Sequence, residues 1–214
     1  MSRRTPTTTG SPKISVVCIS LVAAALAGGC MHSAKTVGVH GKIAFRVKKS
    51  ELLVTGPLSR DKGPDEIVEV VLPALYYDPP KRAAEVDRDS AEWTTPVDAA
   101  ISEFYAMKNY DVQWILSNYA VEERDPVVQT LSDTRAEAEN KKFFSAIDSF
   151  YIWLQADYGP NYAFVIYGLG KPSKRLLGVY RKTSEGWKTT ELLKNDETAA
   201  IVEGALRAGE IKPS

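Results

Sequence analysis

The chain has 214 residues, 44% of them hydrophobic, with 27 basic and 27 acidic side chains, two cysteines and two histidines. That supplies apolar material for one or two packed domains and excludes general disorder, while a net charge of zero leaves no basic stripe to bind nucleic acid. Two cysteines cannot form a disulfide framework, and His32 and His40 both fall in the first 40 residues, which removes the usual components of zinc sites and His-based triads.

Residues 1–13 carry Arg3, Arg4 and Lys13 without an acid, and Ile14 to Ala27 is apolar except for Ser15 and Ser20. A basic stretch followed by such a run has the layout of an export signal. The run is about 14 residues, short of the ~20 needed to cross ~30 Å of hydrocarbon, so cleavage is expected in preference to a membrane anchor. Cys18, inside the run, is a small hydrophobe removed with the signal.

The run ends in Leu26-Ala27-Gly28-Gly29-Cys30, which resembles the lipobox of bacterial lipoproteins. That resemblance covers residues 1–30 and implies that Cys30 is the lipidated first residue of the mature chain, with residues 1–29 as signal peptide. Ala27 stands where the family usually has Leu, one place after Leu26. Two or three acyl chains hold a protein at a bilayer where one does not, each buried CH₂ contributing ~0.8 kcal/mol. Ser2-Arg3-Arg4 resembles a twin-arginine start, but Thr5-Pro6-Thr7 lacks the apolar residues that follow it, so the general secretory route is expected. Loss of residues 1–29 leaves three more acids than bases, so attachment would rest on the acyl chains. The resemblance implies a cell-envelope location; Met31 after the cysteine is similar to the context of outer-membrane lipoproteins facing the periplasm in cells with two membranes.

Residues 30–41, small and polar with glycines, are expected to form a short tether. From Lys42, Ile43, Phe45 and Val47 alternate with polar residues, and Leu53 to Thr55 resume, predicting a hairpin within a β-rich segment over 42–94. Residues 56–66 read as loop, and Ile67 to Tyr77, interrupted by Pro73, as an edge strand stopped by Asp78-Pro79-Pro80. The charged stretch 81–94 is the best internal boundary. Thr95-Pro96-Val97-Asp98 then predicts a capped helix, with Val97, Ala100, Ile101, Phe104 and Tyr105 on its buried face. Asp111 is suited to cap a second helix containing Trp114, Ile115 and Tyr119, and a further helix carries Phe143, Phe144 and Ile147.

The remainder of the 95–214 domain is predicted as a four-stranded antiparallel meander, turning at Tyr158-Gly159-Pro160-Asn161, Gly170-Lys171-Pro172-Ser173 and Thr183-Ser184-Glu185-Gly186. Phe150, Ile152 and Leu154 alternate with Tyr151 and Trp153, and apolar residues on both faces of the first two strands require cover on each side. A helix from Glu197 to Arg207, stopped by Gly209, closes the chain. The fold class is α+β.

Helices Ile101 to Asp111 and Trp114 to Tyr119, followed by a meander closing on Gly178-Val-Tyr-Arg-Lys and Glu185-Gly-Trp-Lys188, resemble the nuclear transport factor 2-like superfamily over residues 95–193. The resemblance implies a curved sheet that encloses a pocket with its helices, used by some members for acid/base chemistry and by others for binding, so it does not decide function. Tyr151, Trp153, Tyr167 and Tyr180 are the candidate pocket-lining residues. Gly168 to Ser173 lacks the spacing of a phosphate loop, and the acidic stretches lack that of a calcium loop. No catalytic set, metal ligands or cofactor is expected. Two functions follow: a lipid-anchored, non-enzymatic protein binding a small apolar ligand or an envelope protein, and, alternatively, a lipoprotein enzyme using a pocket carboxylate such as Asp148 or Asp157. An open sheet face would suit a homodimer.

Overall fold

The computed structural model describes residues 37–52 and 66–214. The expected signal segment, Cys30, His32, the expected strand Leu53 to Thr55 and most of the stretch 56–66 lie outside the described residues. Lys35–Ser214 is one compact unit. Its strands are β1 (Gly38–Lys48), β2 (Ile67–Arg82), β3 (Phe150–Tyr158), β4 (Tyr162–Leu169), β5 (Arg175–Thr183), β6 (Gly186–Thr189) and β7 (Ile211–Pro213). The α-helices are α1 (Pro96–Asn109), α2 (Val112–Ser117), α3 (Arg124–Leu131), α4 (Thr134–Ser145) and α5 (Glu197–Ala208). The strands make one open seven-stranded sheet in the order β6-β5-β4-β3-β2-β1-β7, every pair antiparallel, which bears out the α+β class.

The 42–94 segment supplies strands to the same sheet as β3–β6, and β1 begins at Gly38, inside the expected tether. β2 is an interior strand, a correction to the edge assignment, and it runs past Asp78-Pro79-Pro80 with a register break between Tyr76 and Lys81. Pro73 is tolerated because of where it sits. Its β1 partner Lys42 turns its carbonyl towards β7, accepting from the Ser214 N–H at 2.9 Å, so this is a pair without mutual hydrogen bonds and the Pro73 nitrogen faces away from β1. Pairing with β3 starts only at Ala74, so the missing donor falls where no strand asks for it.

α1 starts as its sequence dictates. Thr95 Oγ1 accepts from the Asp98 N–H at 3.1 Å and Asp98 Oδ2 accepts from the Thr95 N–H at 3.0 Å, a reciprocal cap with Pro96 at the first helical position. Asp111 caps α2 through the Trp114 N–H at 3.0 Å, and Gly209 stops α5 in the left-handed region at φ 73°.

Both faces of the sheet are covered. On one, α1 and α2 bury Val97, Phe104, Trp114 and Ile115 against Phe150, Ile152, Val165 and Tyr180, with Phe104 and Phe150 stacked at 4.7 Å. On the other, α5 lays Ala199, Ile201, Val202 and Ala205 on Ile43, Phe45, Val47, Leu154, Phe164 and Ile166. A Cβ on Gly204 would lie 2.8 Å from Val47 Cγ2, so glycine there sets how closely α5 approaches β1.

The alternation predicted through β3 is broken by a bulge. Ile152 pairs with Tyr167 but Leu154 pairs with Ile166, so Trp153 is an extra residue on β3. Phe150 and Ile152 therefore face α1, whereas Leu154 and Ala156 face α5. One inserted residue lets a strand with a single run of apolar alternate positions serve both cores.

Candidate functional site

The carboxyl group inside the helix-side layer belongs to Glu103, in the middle of α1. Ala99 and Ala106, one turn to either side, are 1% and 0% exposed and leave room for it. Glu103 Oε2 accepts from the Tyr180 hydroxyl on β5 at 2.8 Å, and Oε1 lies 3.4 Å from the Tyr119 hydroxyl beyond α2. The Thr189 hydroxyl faces the same carboxyl from β6, outside hydrogen-bond geometry, and has no other partner among the described residues.

Burial pushes the Glu103 carboxyl above the usual carboxylate range, and the Tyr180, Thr189 and Tyr119 hydroxyls oppose that rise by favouring the charged form. Tyr180 and Tyr119 are both raised well above the ordinary phenol, first by burial and then by the nearby Glu103 charge; Tyr167 is raised for the same two reasons. A carboxyl poised nearer neutrality among buried phenols can hold and release a proton, the property that acid/base chemistry needs.

A second polar network lies beside it and seals the outer edge of the sheet. Asn118 Oδ1 accepts from Trp93 Nε1 at 2.8 Å and from Ser102 Oγ at 2.7 Å, Ser102 Oγ accepts from Trp114 Nε1 at 2.8 Å, and Asn118 Nδ2 donates to the Trp114 carbonyl at 2.8 Å. The Trp187 and Thr189 N–H groups of β6 donate to the Trp93 and Asn118 carbonyls, both at 2.8 Å, so this edge is not left open. Lys188 is 3% exposed, donates to the Ser117 carbonyl at 2.7 Å and lies over the Trp93 ring at 4.3 Å. Burial lowers its pKa, and Glu185 works against that.

The four aromatic residues read from the sequence do not share one cavity. Tyr167 and Tyr180 face α1 beside Glu103. Trp153, at the bulge, lies on the α5 side, where its Nε1–H donates to the Pro172 carbonyl at 2.8 Å and Arg175 stacks on it at 3.8 Å. Tyr151 belongs to neither core cluster. Asp148 and Asp157 are exposed, Asp148 accepting from the Ser149 hydroxyl at 3.0 Å and Asp157 from Gln155 Nε2 at 2.7 Å. His40 is exposed on β1. Glu103 was missed because Ser102-Glu103 looks like the polar side of an amphipathic helix; its signal is its spacing of three and four from the alanines.

Two surface grooves accompany this interior, and Glu103 lines neither. One, about 220 Å³, runs between α5 and β5 with Leu177, Val179, Leu193, Ala199 and Ala200 inside and Glu191, Lys194 and Glu203 among its charged lining. It follows an open stretch of sheet: β6 pairs with β5 only from Tyr180 to Thr183, and the Val179 carbonyl accepts from the Thr190 N–H, so among the described residues β5 has no partner on this side from Arg175 to Gly178. The other, about 340 Å³, opens at the start of α1 and contains Trp187. Among the described residues no set of three or more His, Cys, Asp or Glu could hold a metal ion, and no helix is long and apolar enough to cross a membrane. Comparison with protein-family models, curated proteins and solved structures gives no match.

Proposed function

We propose that this chain is a lipid-anchored protein of a bacterial cell envelope, held by acyl groups on Cys30, whose folded unit acts by binding a protein partner. The observation that carries the location is Leu26-Ala27-Gly28-Gly29-Cys30 closing a short apolar run behind three basic residues. Support for a binding role comes from the β5 edge: strand backbone without a partner among the described residues, beside an apolar-floored groove, suits an extended segment that adds to the sheet and drops alternate side chains between Leu177, Val179 and Leu193. We read the fold as a nuclear transport factor 2-like cone, on the succession of α1, α2 and the meander β3–β6 with helices on one face.

Intact mass spectrometry of the membrane fraction tests the location. The expected species starts at Cys30 with a diacylglyceryl-sized addition and disappears in Cys30→Ala; an unmodified soluble product refutes it. Cross-linking from position 177 in intact cells tests the partner, with an adduct expected from the β5 edge and none from an exposed control position such as Glu139.

Glu103 favours a second reading, an enzyme whose acid/base group is this carboxyl in place of Asp148 or Asp157. Turnover of a small molecule that is lost in Glu103→Gln, with the fold retained, would establish it over the binding role.

A further inference from the structure

The groove at the start of α1 carries chemistry that neither the anchor nor the β5 edge uses. Its lining comes from three places: Thr94, Thr95 and Pro96 before and at the head of α1, Gln155 and Asp157 of β3 with Gly159 and Pro160 of the following turn, and Trp187 of β6. The bulge at Trp153 brings them together, because it turns Leu154 and Ala156 towards α5 and so Gln155 and Asp157 towards the helix side, where Trp187 packs. Asp157 pairs with Ala163 on β4, so the strand next to the carboxylate carries only a methyl group on its row, and Trp187 pairs with Lys182 one strand further out.

We propose that this groove is a binding site for a neutral saccharide of one or two rings, with Trp187 as the stacking surface and Gln155 and Asp157 as the groups that hold sugar hydroxyls. Gln155 Nε2 donates to Asp157 Oδ1 at 2.7 Å, which fixes the two planar side chains against each other. Asp157 Oδ2 and Gln155 Oε1 make no hydrogen bond among the described residues and are free to accept from adjacent hydroxyls, and the Trp187 indole N–H is likewise uncommitted. An aromatic ring flanked by a carboxylate and a carboxamide matches the apolar C–H face and polar rim of a pyranose, and about 340 Å³ accommodates it.

Other ligand classes fit less well. Asp157 is the sole charged residue in the lining and is negative, and the Thr95 and Asp98 N–H groups of the α1 terminus are consumed by the reciprocal cap, so an anion would meet a like charge and no cation. Thr94, Thr95, Gln155 and Asp157 make half of the lining polar, which disfavours a purely apolar molecule. Trp187 is the only aromatic residue there, short of the cage that selects a quaternary ammonium. Glycoside cleavage takes two carboxyl groups across the bond, and the lining has one, so the site holds sugar without cutting it.

The test is saturation-transfer NMR on the full chain, in a detergent without a sugar headgroup, with N,N′-diacetylchitobiose and cellobiose as probes and choline and inorganic phosphate as competitors. Transfer to ring C–H protons of at least one disaccharide is expected, unaffected by choline or phosphate. Loss of one hydroxyl-binding group in Asp157→Ala or Gln155→Ala is expected to weaken binding about fivefold, and Trp187→Ala about tenfold or more. Asp157 is exposed, so that variant retains its fold even where Trp187→Ala, half packed on the core, does not. No transfer from either disaccharide, transfer undiminished in both Asp157→Ala and Gln155→Ala, or displacement by choline would overturn the proposal.

Discussion

Replacing Tyr180 by phenylalanine removes one hydroxyl from an otherwise unchanged ring, and its effect is expected to depend on pH in a way that identifies Glu103 as the cause. Tyr180 is 0% exposed, so no solvent replaces the 2.8 Å bond it gives Glu103, and Tyr119 at 3.4 Å is too distant to take over. A hydrogen bond to a charged group contributes about 1.5–3 kcal/mol and one between neutral groups about 1 kcal/mol. The variant should therefore lose ~1 kcal/mol where Glu103 is protonated and about 1.5–3 kcal/mol where it is ionised, the latter a fall of roughly 3–12 °C in melting temperature.

The sign follows from linkage. Burial raises the folded-state pKa of Glu103 above the ordinary carboxylate value of 4.5, so between the unfolded and folded values the native chain binds more protons than the unfolded one. This contribution leaves stability intact below the unfolded pKa and erodes it as pH rises towards the folded one. Without the Tyr180 donor, which opposes the rise, the erosion extends to higher pH. Urea unfolding of wild type, Tyr180→Phe, Glu103→Gln and the double variant, taken from acid to mildly alkaline buffer, reads all of this. Glu103→Gln should flatten its share of the slope and make Tyr180→Phe independent of pH. A loss for Tyr180→Phe that is the same at both ends of the pH range, with wild-type slope retained in Glu103→Gln, would refute the reasoning.

Two other perturbations test the frame that positions this carboxyl. Thr95→Ala removes the acceptor of the Asp98 N–H and is expected to cost about 1 kcal/mol by urea midpoint, largely restored by Thr95→Ser. Gly186→Ala places a Cβ 2.5 Å from the Trp93 carbonyl at φ 98°, so about 1–3 kcal/mol should be lost by thermal melting; stability within ~0.5 kcal/mol of wild type would mean that the Trp93 backbone gives way freely.

Local chemistry was legible in the sequence and long-range partnership was not. The α1 cap, the Asp111 cap and the Gly209 stop each use residues within three or four positions of one another, and the structure has them where the spacing puts them. Apolar residues on both faces of β3 and β4 correctly required two covering layers, but the strict alternation of Phe150, Ile152 and Leu154 hid the bulge, because an inserted residue that is itself a half-buried tryptophan leaves no gap in the pattern. Pro73 suggested an edge strand; β2 is interior, and only its position just before the β3 pairing reconciles the two. Ile211 to Pro213 are too few to read as a strand without β1 beside them. At the candidate site, Tyr167 and Tyr180 were legible as aromatics, while Glu103, which gives them their shared environment, reads in the sequence as a solvated helix residue.

The small strand β7 has a consequence for how the chain must be made. Ile43 pairs with Pro213 and Phe45 with Ile211, near-opposite ends of the molecule, and α5, which buries β1 on its face, also precedes β7 by only a few residues. A chain delivered from its amino terminus displays the apolar row of Ile43, Phe45 and Val47 from early on, with β2 as its first company, until the last twenty residues arrive. Such late closure of distant contacts slows folding and lengthens the exposure of a sticky strand. Premature termination near residue 196 would thus leave a complete helix-side layer on a sheet whose other side is bare, a product suited to aggregation or capture by a chaperone more than to partial activity.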